Sequence, residues 1–164
     1  MKILILTNMY PTSGHKYFGT FVKKMTDILL EELPSTTCKI VSKSKSQSFF
    51  SNYYSYLKFI LNGLFQILTF KPTYVFIHFS SISSIPFLIY NLFLNKKFKV
   101  ITHCHGTDVY GSSFNKYLSQ KAFETSDYVL APSEHVKKYL LKEFSITCPV
   151  YVTYSGGVEQ PSKE

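Results

Sequence analysis

The sequence contains no arginine, so all 18 of its basic residues are lysines. A lysine ammonium is a point charge and lacks the planar fork with which arginine binds a phosphate through two hydrogen bonds. The net charge is +8, which by itself suits an anionic partner. Because arginine and any recognisable nucleic-acid-binding motif are both missing, we expect no nucleic acid among the partners.

Cysteine and long apolar runs are also scarce. Cys38, Cys104 and Cys148 are odd in number and widely spaced, which argues against a disulfide framework and favours a reduced, cytosolic setting. The apolar run at residues 1–6 is too short for a signal peptide. No window holds the roughly 18 uninterrupted apolar residues of a membrane-spanning helix. We therefore expect a soluble or peripherally bound cytoplasmic protein.

Acidic residues are absent between Leu33 and Thr107, although ten occur elsewhere. Eight lysines lie in this stretch, while ten lysines balance the ten acids outside it, so the stretch carries the whole net charge of +8. The charge is interpreted either as an ordinary solvated surface or as a surface attracted to anionic lipid. A strongly one-sided aromatic helix predicted at 52–70 favours a membrane leaflet as the anionic surface.

Motifs of three common enzyme classes are missing. The sequence has no Walker phosphate loop, no Gly-x-Gly-x-x-Gly after its first strand and no Gly-x-Ser-x-Gly. These absences argue against an NTPase, a dehydrogenase and an α/β-hydrolase.

The apolar pattern alternates between strand and helix along the whole chain. Strands are predicted at 2–7, 38–41, 74–78, 99–103, 128–131 and 150–154, and helices at 19–32, 52–70, 82–95, 115–126 and 133–144. Such alternation predicts an α/β fold, a Rossmann-like, doubly wound and mainly parallel sheet flanked by helices. Ligands of such sheets bind beyond the carboxyl ends of the strands.

Four landmarks near those strand ends carry a family resemblance, the first of them in two parts. They read TNMYP and YFGTFVK at 7–11 and 17–23, HCHGTD at 103–108, SEHV at 133–136 and YSGGVE at 154–159. In this order they resemble the N-terminal, acceptor-side domain of GT-B glycosyltransferases of family 4. The resemblance implies that residues 1–159 form this domain and that 160–164 begin an interdomain linker or tail.

The same resemblance, with the residue chemistry, indicates where the site lies. His105 is the candidate catalytic residue, because a neutral imidazole at a strand end can hydrogen-bond or orient a sugar hydroxyl; the alternative is a histidine satisfied within its loop. The candidate substrate-binding residues are Gly19, Thr20, His78, Asp108, Ser133 and Glu134.

Four of these residues also have a structural interpretation. Gly19 marks either an anion site at a helix start or a simple turn, and Asp108 either fixes its turn or reaches a hydroxyl. His78 is interpreted as a structural residue before a ligand contact, and Ser133 as a helix cap. We expect no cofactor and no metal: a zinc site from His103, Cys104 and His105 would need alternate faces of one strand to converge.

The resemblance implies retaining transfer of a hexosyl unit from a nucleotide sugar to a glycan or lipid-linked acceptor, in cell-surface polysaccharide synthesis. In that family most of the donor is held by a second domain, which these 164 residues lack, so we expect no activity from this chain alone. It is then a domain of a longer enzyme, a subunit of a split enzyme whose partner supplies the donor half, or a truncated gene product. The alternative function is a non-catalytic binding or scaffolding subunit.

Overall fold

The computed structural model describes residues 1–45 and 48–153, and strands alternate with helices throughout them. The strands are β1 (Lys2–Thr7), β2 (Thr37–Ser42), β3 (Tyr74–His78), β4 (Lys99–His103), β5 (Tyr128–Ala131) and β6 (Val150–Val152). The helices are α1 (Thr20–Glu32), α2 (Phe49–Phe70), α3 (Ile85–Phe93), α4 (Ser113–Thr125) and α5 (Glu134–Glu143). The predicted YSGGVE segment and the predicted domain end at residue 159 lie outside the described residues.

The six strands form one parallel sheet in the order β2-β1-β3-β4-β5-β6. This confirms the predicted Rossmann-like α/β class. The chain moves outward in one direction from β1 to β2 and in the other direction from β3 to β6. The strand order therefore reverses between β1 and β3, where Thr7 and His78 are register partners at the carboxyl ends. Open parallel sheets bind ligands at such a reversal.

The two faces of the sheet pack against different helices. Ile3, Ile5 and Phe76 are buried under α1. Residues of alternate parity point to the opposite face, where two larger apolar clusters join the sheet to α2 and α3 and to α4 and α5. The side chains that share the α1 face with Phe76, at the ends of the central strands, form the candidate site described below.

Serine caps and one proline explain how the helix bounds differ from the predicted ones. α4 begins two residues earlier than predicted, since the Ser112 hydroxyl accepts a hydrogen bond from the Asn115 amide at 3.3 Å. A 3₁₀ turn at Ile82–Ser84 replaces the start of the predicted 82–95 helix, and α3 starts with Pro86 in its first turn, where no amide hydrogen is needed. Within the two described ranges, no helix is both long and apolar enough to cross a membrane.

Candidate functional site

Two histidines end adjacent strands at the same level. His78 closes β3 and His103 closes β4, and the two are register partners in the parallel pair. Both side chains are fully buried, and their ring centroids lie 5.6 Å apart. The side-chain alternation of strands puts both rings on the α1 face, in line with Phe76 and Ile101. This juxtaposition follows from register alone.

His105 joins this pair from the loop after β4. Its Nε2 lies 3.2 Å from His78 Nδ1, and its ring centroid lies 4.2 Å from that of His103. One ring nitrogen from each of the three residues can be chosen so that all lie within 4.8 Å of one another. His78, His103 and His105 are called the histidine cluster below. His105 is partly exposed, so the cluster has one side toward solvent.

Aromatic rings enclose the cluster. Phe76 lies 4.4 Å from the His78 ring, and Phe79 lies 4.5 Å from the His105 ring, between centroids. Burial in this shell, and then the repulsion between neighbouring protonated rings, lowers the pKa of each cluster imidazole to about 3. All three rings are therefore neutral at physiological pH, able to accept a hydrogen bond at one nitrogen and to donate one at the other.

The amino end of α1 lies against the cluster. Phe21, in the first turn of α1, contacts the His105 ring with centroids 4.9 Å apart. Gly19 precedes this turn with a φ of +80°, and a Cβ there would lie 2.7 Å from the Met9 carbonyl atoms. The glycine is thus required by the close approach of its own loop, while the adjacent Thr20 is exposed at the helix start. The structure brings the predicted Gly19–Thr20 turn and His105 to one edge.

Asp108 fastens the loop after β4 to the loop after β3. Its Oδ1 accepts a hydrogen bond from the His105 amide at 2.9 Å, and its Oδ2 accepts from the Ser80 amide at 2.7 Å and the Ser80 hydroxyl at 2.8 Å. The carboxylate is 2% exposed, and both oxygens are occupied by protein donors. Of the two interpretations of Asp108, the contacts are those of a residue that fixes its turn and thereby the backbone of His105.

Ser133 and Glu134 lie beyond β5 on the same edge of the sheet. The Ser133 hydroxyl accepts from the Val136 amide at 3.2 Å, which confirms the predicted N-cap of α5. Glu134 is exposed in the first turn. Among the contacts of the described residues, neither side chain touches the histidine cluster.

An open cleft of about 530 Å³ also opens on this edge, between the loops after β1 and β2. Residues 13–18 and Lys45 line it. Both loops follow carboxyl ends of strands, so the cleft and the cluster occupy the same end of the sheet. The cleft contributes hydroxyl, imidazole and ammonium groups from Ser13, His15, Lys16 and Lys45, which suit a polar or anionic ligand.

Sequence reasoning missed His103 as a member of the site. The zinc argument weighed His103, Cys104 and His105, and Cys104 does point to the opposite face, where it is buried in the α4/α5 cluster and burial raises the pKa of its thiol. The third imidazole instead comes from the neighbouring strand, at His78. The sequence did contain a signal for this pair, because His78 and His103 are the last residues of two consecutive predicted strands.

Comparison with known proteins identifies the family. Residues 30–156 match the model of Glycosyltransferase Family 4, and no curated protein sequence matches the chain. The fold is similar to a putative UDP-N-acetylglucosamine 2-epimerase from Listeria monocytogenes (TM-score 0.57, 12% identity, 88% of this chain and 42% of that one). It is also similar to S. aureus MnaA in complex with UDP (TM-score 0.60, 15% identity, 99% and 49%).

The chain thus spans less than half the length of each of these solved structures. At such low identity the likeness concerns the fold, whereas the family match covers most of the sequence. The chain belongs to glycosyltransferase family 4 and has the fold of a GT-B N-terminal domain.

Proposed function

We propose that this chain is the acceptor-binding half of a retaining glycosyltransferase, which transfers a hexosyl unit from a nucleotide sugar to a glycan or lipid-linked acceptor in cell-surface polysaccharide synthesis. The observation that carries the proposal is the contact of His105 with both His78 and the first turn of α1. The loop of His105 and the start of α1 bear two of the segments that resemble the family, and both lie beside His78, which ends β3 at the strand-order reversal.

In this proposal His105 is the residue that meets the substrate. It is the partly exposed member of the cluster, and the Asp108 carboxylate holds its backbone amide. The neutral imidazole hydrogen-bonds a sugar hydroxyl and orients it for the reaction. His78 lies behind it and sets which His105 nitrogen carries the proton, because only one nitrogen of the 3.2 Å pair can donate. Gly19, Thr20, Ser133 and Glu134 contribute the surrounding backbone and side-chain contacts.

The nucleotide part of the donor is bound mainly by a second half, either a following domain or a separate subunit. Two facts support this division. The chain spans 42% and 49% of the length of the solved structures it resembles. It also has no arginine that could bind a diphosphate through two hydrogen bonds. One of those structures is a complex with UDP.

The test is a transfer assay with the chain alone and with its donor half, either the full-length enzyme or a separately encoded subunit. A panel of nucleotide sugars is supplied with lipid-linked and soluble saccharide acceptors, and products are identified by mass spectrometry. We expect no product from the chain alone, transfer when both halves are present, and a loss of at least about 100-fold in kcat/KM for His105→Ala. The exposed His135→Ala is the matched control. Transfer unaffected by His105→Ala would overturn the catalytic assignment.

A peripheral position at the inner membrane leaflet is a second part of the proposal. Tyr54, Leu57, Leu61, Phe65 and Leu68 form a stripe along the outer side of α2, each at least 44% exposed. We call this set the α2 stripe. Residues spaced three and four apart share one side of a helix, so these side chains can enter a bilayer interface together.

Lysines flank the α2 stripe. Lys58 lies beside Leu57 and Leu61 of the stripe, and Lys71 and Lys97 line a shallow cleft beside Leu68 and Leu94 at the ends of α2 and α3. All three lysines are exposed, and each adds about 1 kcal/mol of attraction near an anionic leaflet. Lys43 is different: it is buried with its ammonium 4.2 Å from the Tyr56 ring centre, and burial lowers its pKa.

Liposome co-sedimentation tests this surface. We expect binding to vesicles of phosphatidylglycerol and phosphatidylcholine, weaker binding to phosphatidylcholine alone, and loss of binding for the double variant Leu61→Ser, Phe65→Ser. Leu141→Ser, at a 54% exposed position on α5, is the control. Equal binding by the double variant and the control would refute the membrane role and leave the transfer proposal intact.

A non-catalytic acceptor-binding or scaffolding subunit is the alternative function. It shares the acceptor site, so binding data do not separate the two. The transfer assay does: acceptor binding with no product, even with the donor half present, would favour the scaffold.

A further inference from the structure

The histidine cluster lacks two of the hydrogen-bond partners that buried rings normally have. In the described part of the chain, His78 Nε2 and His103 Nδ1 are both buried without a partner. Buried polar atoms in native proteins are nearly always paired, so two such atoms in one cluster point to a ligand that binds there.

The spacing of the ring nitrogens suits a metal ion. One nitrogen from each of the three rings lies within 4.8 Å of the others. In a tetrahedral zinc site with Zn–N bonds of about 2.0–2.1 Å, two nitrogen ligands lie roughly 3.3 Å apart. Nitrogens that lie within 4.8 Å of one another reach this separation after a closing movement of at most about 1.5 Å.

The chemistry of the donor set selects the kind of metal. All three ligands are imidazoles; the Cys104 thiol faces the other side of the sheet, and both Asp108 oxygens bind protein donors. Imidazole suits Zn²⁺, Co²⁺, Ni²⁺ and Cu²⁺, whereas Mg²⁺ and Ca²⁺ prefer carboxylate and carbonyl oxygen. The donor set therefore suits a transition metal.

The surroundings of the rings resemble the outer shell of such a site. Metal-bound histidines usually hydrogen-bond through their second nitrogen. The Thr153 hydroxyl lies 3.3 Å from His103 Nε2, which leaves Nδ1 as the ligand atom. Phe76, Phe79 and Phe21 pack around the rings and restrict their rotation.

We propose that His78, His103 and His105 bind one divalent transition-metal ion, with Zn²⁺ as the first candidate, through one ring nitrogen each. A fourth coordination position remains open toward the exposed side of His105, where water or an oxygen of a substrate binds. Three histidines with an open position are an arrangement found in catalytic zinc sites.

The test uses the full chain, stripped with a chelator and then titrated with Zn²⁺ by calorimetry and with Co²⁺ by visible absorption. We expect one ion per chain, the visible bands of four-coordinate Co²⁺, and a rise in Tm of at least about 5 °C at saturating Zn²⁺. His103→Gln is expected to weaken affinity by more than the 10–100-fold typical of losing an outer-shell partner. His135→Gln, at an exposed histidine, is the matched control and is expected to bind as the parent chain does.

Three outcomes would overturn the proposal: no binding by the parent chain, equal weakening by His135→Gln, or unchanged affinity in His103→Gln. If His103→Gln does not fold, X-ray absorption of the zinc-loaded parent chain decides, since three imidazole scatterers near 2.0 Å are required and fewer would refute it. The titration involves no sugar, so its failure leaves the proposed glycosyl transfer standing.

Discussion

The two ends of the sheet bury their polar groups in different ways. At the amino end, Asp127 accepts hydrogen bonds from the ammonium groups of Lys96 at 2.7 Å and Lys99 at 2.9 Å and from the Val100 amide at 2.9 Å. These groups remain partly exposed, and each has a partner. At the carboxyl end the cluster rings are neutral, two of them are fully buried, and two of their nitrogens have no partner within the described residues.

The paired groups at the amino end are those of a structural network, whereas the unpaired nitrogens at the carboxyl end are those of a candidate site. Burial raises the pKa of Asp127, but hydrogen bonds from Lys96, Lys99 and the Val100 amide outweigh it and hold that pKa at about 2. The ionised form is thus favoured by folding. At the carboxyl end folding disfavours the charged form of every cluster histidine, so the cluster destabilises the fold only as the pH falls below 6.5, the ordinary pKa of these rings.

The largest expected effect comes from the residue that joins the two site loops. Asp108→Ala leaves the Ser80 and His105 amides without their acceptor, and we expect it to lower the free energy of unfolding by about 3–4 kcal/mol. Urea denaturation at pH 7 measures this. Asp27→Ala is the control, since its ion pair with Lys23 is exposed and exposed ion pairs contribute little to stability. Equal losses in both variants would contradict the structural role of Asp108.

The next effect concerns the loop before α1. Gly19→Ala forces a Cβ to within 2.7 Å of the Met9 backbone at a φ of +80°, and we expect a loss of at least about 2 kcal/mol. Gly14→Ala in the same loop is the control, because a Cβ there meets nothing within 4 Å. Thermal unfolding of the two variants side by side gives the comparison; a Gly19→Ala protein as stable as Gly14→Ala would show that the loop takes another path.

At the amino end, we expect Asp127→Asn to cost about 1–2 kcal/mol at pH 7. Because the folded pKa of Asp127 lies below its unfolded value of about 3.8, its ionisation stabilises the fold above pH 4, and this contribution is lost as the pH falls from 4 toward 2. Urea titrations at several pH values should show the gap between parent and variant closing over that window. A gap that stays constant down to pH 2 would rule out the ion pair as its cause.

The smallest expected effect has the opposite sign. In the metal-free protein, His78→Leu replaces the ring with an apolar side chain and removes the buried Nε2 that has no partner. It also removes the 3.2 Å contact of Nδ1 with the partly exposed His105, so we expect a net gain of about 1 kcal/mol or less. Differential scanning calorimetry detects this as a Tm rise of a few degrees. His135→Leu on the surface should leave Tm unchanged. A destabilised His78→Leu would mean that the cluster is a satisfied network rather than a strained site.

Most of the fold followed from local patterns, because buried strands and one-sided helices each have their own apolar period. The cap role of Ser133 was likewise readable from local chemistry. The site was only partly accessible. That His78 meets His103 depends on the register of β3 against β4, and the bond from Ser80 to Asp108 joins residues 28 positions apart. No local signal encodes such contacts.

Which side of the α2 helix is buried could not be predicted from the sequence either. Ser55 on α2 is polar yet buried, with its hydroxyl donating to the Ser44 carbonyl at 2.8 Å. Leu61 and Phe65 are exposed instead. A helix apolar on most of its circumference does not reveal which side the sheet covers, because either side could supply the core contact.

The most direct test of the central claim, that ligands bind at the carboxyl end of the sheet, is NMR of the isotopically labelled chain during titration with lipid-linked saccharides and nucleotide sugars. The account predicts shifts in the ring signals of His78, His103 and His105 and in the amides of residues 8–19 and 103–111, with the signals of Lys96, Lys99 and Asp127 unchanged. Shifts confined to the amino end, or histidine rings that respond to no member of the panel, would contradict it.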